Sequence, residues 1–158
     1  MNDKIISAED CRAVAESFRG AGKRLVLTNG VFDILHVGHV RYLQAARSLG
    51  DALLVAINGD AAVRELKGED RPVNNQDERA EMLAALAAVT YVTIFEELSP
   101  RALIASVLPD VLVKGGDYAL DEIHGREEVE AAGGRVVALP YVAGASTTSV
   151  IERIKRKK

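Results

Sequence analysis

Two rhythms of apolar residues alternate along this chain. Short unbroken apolar runs, rich in β-branched residues, recur at RLVLT (24–28), DALLVAIN (51–58), YVTIF (91–95), DVLVKG (110–115) and RVVALP (135–140). Runs of that length read as strands buried on both faces. Between them lie stretches with helical spacing. Ser7 and Asp10 make a capping-box-like start to a helix running toward Gly20. A helix from about Val37 to Leu49 is ended by Gly50, and a short one follows Gly59. Asn74 or Asn75 caps QDERAEMLAALA, with Met82, Leu83 and Leu86 predicted as its apolar face. Ser99-Pro100 reads as the cap and first helical position of RALIASVL. REEVEAAG is the next helix, and Ser146 caps a last one, TTSVIERIKRKK.

This alternation predicts an α/β fold with helices on both faces of a parallel sheet. Right-handed crossovers make the sheet doubly wound. The expectation is a Rossmann-like five-stranded sheet of order 3-2-1-4-5, forming one domain over residues 1–158. The topological switch then falls between strands one and four, and ligands of such sheets bind there, at the carboxyl ends of the strands. TNGVFDILHVGH (28–39) and KGGD (114–117) would face each other across that cleft.

Composition narrows the chemistry. With 48% apolar and 27% charged residues, the 158-residue chain is that of an ordinary globular protein. A net charge of −3 provides no field for nucleic acid or an anionic membrane, and the KRKK ending complements the dipole of a final helix. Cys11 is the only cysteine, which excludes an internal disulfide. The charged start MNDKIISAEDC lacks the apolar stretch of a signal peptide. No run approaches the roughly 18 apolar residues of a membrane span. A cytoplasmic protein is expected.

Two nucleotide loops can be set aside. GAGK (20–23) resembles the end of a P-loop, but Ser17 stands at the first glycine position and Arg24 at the hydroxyl position. No GxGxxG occurs. What remains is His36-Val37-Gly38-His39 at a helix start, where two imidazoles share one face of the first turn. That end of a helix is an anion site, and Gly38 removes a side chain where phosphate would approach. The bland alternative is a pair of histidines that cap locally or pack on the sheet; TNGVFD ahead of them favours phosphate.

In TNGVFDILHVGH, RPVNNQDERAEML, VLVKGGDY and GASTTSVI, the sequence resembles the HxGH nucleotidyltransferases, and within them the adenylyltransferase branch of ADP-heptose synthesis. These four ordered blocks span the chain from Leu25 to the last helix. The resemblance implies attack of a sugar 1-phosphate, D-glycero-D-manno-heptose 1-phosphate, on the α-phosphorus of ATP. The products are ADP-heptose, a precursor of lipopolysaccharide core, and pyrophosphate. It implies catalytic roles for His36, His39, Lys67 and Lys114. Thr28, Asn29, Gly30 and Phe32 would form the turn under the nucleotide, with Gly38 and His39 at the phosphates.

Lys67 and Arg71, expected in a loop after strand two, match phosphate-binding positions. Asp33 lies either at the acceptor side or as a brace of its loop. Arg79 is either a substrate arginine or half of a helix-surface ion pair with Glu78 or Glu81. Lys114 would be costly to bury in a parallel sheet, so it is expected to reach into the cleft. Gly115 and Gly116 allow close approach to the nucleotide, and Asp117 can accept from ribose hydroxyls. Ser146, Thr147 and Thr148 suit the β- and γ-phosphates. Cys11 and His124 carry no chemical role in this reading.

Mg²⁺ is expected with the triphosphate. No carboxylate cluster looks like a dedicated cage, so the ion would ride on the ATP phosphates. The partners implied are ATP and the sugar phosphate, and the resemblance suggests a dimer. Relatives that use CTP and glycerol 3-phosphate carry an arginine-threonine pair where Tyr141-Val142 stands here. This argues against the cytidylyltransferase alternative. A nucleotide sensor that binds ATP without turnover is the alternative outside enzymes.

Overall fold

A computed structural model describes residues 2–116, 119–140 and 144–157. Asp117 and the Tyr141-Val142 pair therefore lie outside the described residues. Five parallel strands form one sheet in the order β3-β2-β1-β4-β5: β1 (Leu25–Gly30), β2 (Ala52–Asn58), β3 (Tyr91–Phe95), β4 (Val111–Gly115) and β5 (Arg135–Leu139). The helices are α1 (Ala8–Gly20), α2 (Val37–Arg47), α3 (Asp60–Lys67), α4 (Gln76–Ala84), α5 (Arg101–Val107), α6 (Arg126–Ala131) and α7 (Thr147–Arg156), with a 3-10 turn at Leu120–Glu122. The predicted order of strands is the observed one.

Although the strands read as unbroken apolar runs, successive side chains still enter different layers. Leu25 and Leu27 of β1 pack with Cys11, Ala15, Ile104 and Val129 on the α1–α5–α6 face. Val26, between them, packs with Leu43, Ala46, Ala80 and Leu83 on the α2–α4 face. β2 is buried along its whole length. The central strands are thus held from both sides, which fixes the positions from which their terminal loops depart.

Caps follow the sequence closely. Ser7 accepts the Asp10 N–H at the start of α1, and Asn75 accepts the Glu78 N–H at the start of α4. Ser146 and Ser149 form a reciprocal capping box on α7. Three expectations are corrected. On α4 the inward residues are Arg79, Ala80, Leu83 and Ala84, while Met82 is exposed. Lys67 is the last residue of α3 and not part of a loop. Ser99 does accept the Arg101 N–H, at 3.2 Å, but α5 begins after Pro100. Gly50 follows the end of α2 because a Cβ there would lie 2.7 Å from Val26 Cγ2 and 2.9 Å from the Arg24 carbonyl.

Candidate active site

A cleft of about 810 Å³ opens at the carboxyl edge of the sheet and takes residues from the loops after all five strands. Three helices begin at its wall: α2, α5 and α7. None of the three has an acidic residue in its first turn, whereas α1, α3, α4 and α6 all do. The helix ends facing the cleft have kept their positive poles unneutralised, which suits an anionic ligand.

His36 is the N-cap of α2, and its Nδ1 accepts the Gly38 N–H at 3.1 Å. This bond leaves the ring proton of neutral His36 on Nε2. The His39 ring stacks on it at 3.8 Å between centroids, and the Phe32 ring lies tilted against His39 at 5.1 Å. Phe32 holds a left-handed backbone with φ 50°, unusual for a bulky residue. Gly30 permits this, because a Cβ on it would meet the Phe32 ring at 2.8 Å. At Gly38, which lines the cleft, packing gives a further reason for glycine. A Cβ there would collide with the His36 ring at 2.8 Å and with Ala145 Cβ at 2.9 Å. Glycine is required so that the imidazole and the α7 approach can close over α2.

Burial, and then the neighbouring His36, push the His39 pKa down to about 4; burial, and then Arg153, lower that of His36. Both rings are therefore neutral near pH 7. His39 Nδ1 is buried with no partner. A buried lone pair is tolerated better than an orphaned N–H, so its proton also belongs on Nε2. Two neutral N–H donors result, stacked at the head of a helix.

Lys114, at the end of β4, also lines the cleft, and burial followed by the charge of Lys67 lowers its pKa. Two ammonium groups that repel each other across a cleft favour an anion between them. Ser146, Thr147 and Thr148 border the same cleft from α7, and Thr147 Oγ1 donates to the Ile34 carbonyl at 3.3 Å. Asn29, Gly30, Phe32, Asp33, Gly38, Arg71 and Gly115 line it as well. The expected site residues thus converge, apart from Gly116, which is buried and does not line the cleft, and two further exceptions among the described ones.

Thr28 is fully buried one layer below. Its Oγ1 shares a 2.6 Å hydrogen bond with Tyr42 Oη, which donates to the Val113 carbonyl at 3.3 Å. Arg79 is the other exception, with 0% exposure. Its guanidinium donates to the Asn74 carbonyl at 3.0 Å, the Val31 carbonyl at 2.8 Å and Asp60 at 2.8 Å. It is neither a substrate contact nor a surface pair with Glu78 or Glu81, but an internal clamp between α4, the β1 loop and α3.

Asp33 is a brace as well as a lining residue. Its carboxylate accepts from Arg71 Nε at 2.6 Å and from the Val73 and Asn74 N–H groups at 2.9 Å. Burial alone would raise its pKa, but the Asn74 and Val73 N–H groups and the Arg71 guanidinium outweigh burial and lower it.

Sequence reasoning missed Tyr42, Asn58, Glu122 and His124, which also line the cleft. Tyr42 was legible as the residue three after His39 on the same helical face. Asn58 was legible as the one polar residue ending an otherwise apolar strand. Glu122 and His124 had no signal, because they sit in an irregular segment.

Comparison with known proteins agrees with this geometry. The chain matches the cytidylyltransferase-like family over residues 27–153. It is 52% identical over 151 residues to the bifunctional protein HldE of Geobacter sulfurreducens, covering 96% of this chain and 31% of that protein. It is also 52% identical to HldE of Salmonella newport, covering 96% of this chain and 32% of the relative. The chain thus spans about a third of the length of these curated relatives. A crystal structure of the lipopolysaccharide core biosynthesis protein from Thermoplasma volcanium superposes with a TM-score of 0.63 at 29% identity, covering 77% of this chain and 98% of that one. With stacked imidazoles at the head of α2 and a family match across most of the sheet, the chain belongs to the cytidylyltransferase-like family of nucleotidyltransferases.

Proposed function

We propose that this protein transfers AMP from ATP to D-glycero-D-manno-heptose 1-phosphate, giving ADP-heptose and pyrophosphate for lipopolysaccharide core. The observation that carries the transfer chemistry is the pair of neutral Nε2–H donors in one cleft with Lys67 and Lys114. The heptose branch is supported by the 52% identity to HldE and by the likeness to a lipopolysaccharide core biosynthesis protein.

A phosphate oxygen of the sugar phosphate attacks the α-phosphorus, and the bond from that phosphorus to the bridging oxygen breaks. Its electron pair leaves with pyrophosphate. The nucleophile is already anionic, so no general base is needed, and alignment with charge stabilisation does the work. His36 and His39 donate to the α-phosphate oxygens. Lys67 and Arg71 hold the incoming phosphate, Lys114 bridges to the transferring group, and the head of α7 receives the departing phosphates. Gly115 and Asp117 would admit the nucleoside.

Among the described residues no group of three or more metal-binding side chains exists. A Mg²⁺ ion carried by the triphosphate, where it would neutralise charge, is part of the proposal. ATP as donor fits a cytoplasmic enzyme, and no described helix is long and apolar enough to cross a membrane. A dimer remains part of the proposal by resemblance.

Pyrophosphate release measured with ATP or CTP against heptose 1-phosphate and glycerol 3-phosphate tests this. Release is expected only with ATP and the sugar 1-phosphate. Activity confined to CTP and the polyol phosphate would reassign the protein. His39→Ala should lower kcat at least about 100-fold with nucleotide binding largely kept. Binding of ATP without turnover by the unaltered protein would identify a sensor instead.

A further inference from the structure

The cleft contains polar groups that the transfer chemistry leaves unused. Asn58 ends β2, lines the cleft and is only 5% exposed. Among the described residues, the side-chain atoms buried without a hydrogen-bond partner are His39 Nδ1, Thr93 Oγ1 and Glu128 Oε2, so the Asn58 amide, which is not one of them, keeps contact with the cleft. An amide at a cleft wall can exchange water for a ligand hydroxyl, since it both donates and accepts.

His124 follows β4 in sequence but is drawn across the cleft to the start of α5. Its Nδ1 lies 2.6 Å from Ser99 Oγ, and Gly125 beside it packs so tightly that a Cβ would meet Ile104 Cγ2 at 2.5 Å. Ser99 Oγ also accepts the Arg101 N–H at 3.2 Å. The arrangement that uses each group once has Oγ donating to Nδ1, which puts the ring proton of a neutral His124 on Nε2. The plain reading is a helix cap with a surface histidine on it. That reading leaves the convergence of His124 and Asn58 on one cleft without a reason.

Position decides what these groups meet. Lys67 follows β2 and Ser99 follows β3, whereas Gly115 ends β4 and the head of α7 rests on the β1–α2 segment, with Ala145 at Gly38 and Thr147 on the Ile34 carbonyl. In an in-line displacement the incoming phosphate and the departing pyrophosphate lie on opposite sides of the α-phosphorus. If the pyrophosphate departs over α7, the acceptor enters from the β2–β3 side. Its phosphate then meets Lys67, and the rest of it lies against Asn58 and His124.

We propose that Asn58 and His124 bind hydroxyl groups of the acceptor sugar, with Ser99 the positioning residue that aims His124. An amide is both donor and acceptor and an imidazole presents one of each, which matches a hydroxyl. This inference rests on the sugar-phosphate reading above.

The test is steady-state kinetics with the KM for heptose 1-phosphate and for ATP read separately. His124→Ala and Asn58→Ser each raise the sugar KM about tenfold, with the ATP KM held within about twofold as the control for folding. His124→Gln recovers part of the loss. Ser99→Ala raises the sugar KM by a smaller factor, and Ser99→Thr, which keeps the hydroxyl, reverses it. An unaltered sugar KM in both His124→Ala and Asn58→Ser overturns the assignment alone, provided the unaltered protein turns the sugar phosphate over. An ATP KM that rises in step with the sugar KM also overturns it. An unaltered protein inert toward every sugar 1-phosphate sinks the functional reading and this inference together.

Discussion

His39 carries a testable consequence of its burial. Its pKa of about 4 lies below the ordinary 6.5. Between those values the unfolded chain binds a proton that the folded chain does not. Stability from this group is therefore full above pH 6.5 and declines as pH falls to about 4. Thermal melts across that range should show the decline, and His39→Gln should remove part of it. A triphosphate beside the ring favours the charged form, so the imidazole titration followed by NMR should move upward when ATP is bound. A midpoint unmoved by ATP would place the ring away from the phosphates. Gly38 bears on the same pair. Gly38→Ala must displace the His36 ring or Ala145, and about a 100-fold loss of kcat is expected, the scale of one misplaced donor.

At the scale of elements, two charged side chains have different jobs from those their sequence context suggests. Arg79 holds α4 to the β1 loop and α3. Arg79→Ala should cost about 3–5 kcal/mol in denaturant unfolding, because Asp60 and two carbonyls lose a buried partner. Lys67→Ala should leave stability within about 0.5 kcal/mol while lowering turnover, since the exposed end of α3 is not packed. Asp33 pins the segment after α3 to the first β–α turn. Asp33→Asn weakens three interactions to a charge and should cost about 2–3 kcal/mol. The Asp33 pKa is lowered, so its contribution is present above the ordinary carboxylate pKa and is lost as pH falls below it. Proteolysis within 68–75 should accelerate in the variant, and an unchanged cleavage rate would show that the brace is idle.

The whole molecule brings these parts to one edge. ATP contacts made by loops from several strands stabilise only the folded chain. At about 100 times its Kd, ATP should add about 2.7 kcal/mol and raise Tm by several degrees. The shift should shrink with salt, because much of the attraction is between phosphates and the cations of Lys67, Arg71 and Lys114. An equal shift in 1 M NaCl would argue against that electrostatic account.

Much of this molecule was written locally. Strand runs, caps and the alternation of elements are short-range patterns, and parallel sheets permit few topologies. The strand order and the cleft followed from them. Ser146 and Asn75 cap as read, since a cap is a bond between residues three apart. The HxGH pair was likewise legible, because one helical turn places both rings.

Only the tertiary structure decided the contacts between elements distant in sequence. Arg79 looked like a surface or substrate residue, and the fold made it an internal clamp by bringing Asp60 and the Val31 carbonyl to it. Part of the constraint on Gly38 comes from Ala145, more than a hundred residues later in the chain. His124 enters the cleft because Ser99 and Ile104 draw its segment across the sheet edge. The backbone pattern of a segment encodes what it becomes. What its side chains meet depends on chain segments it cannot sense until packing brings them within reach.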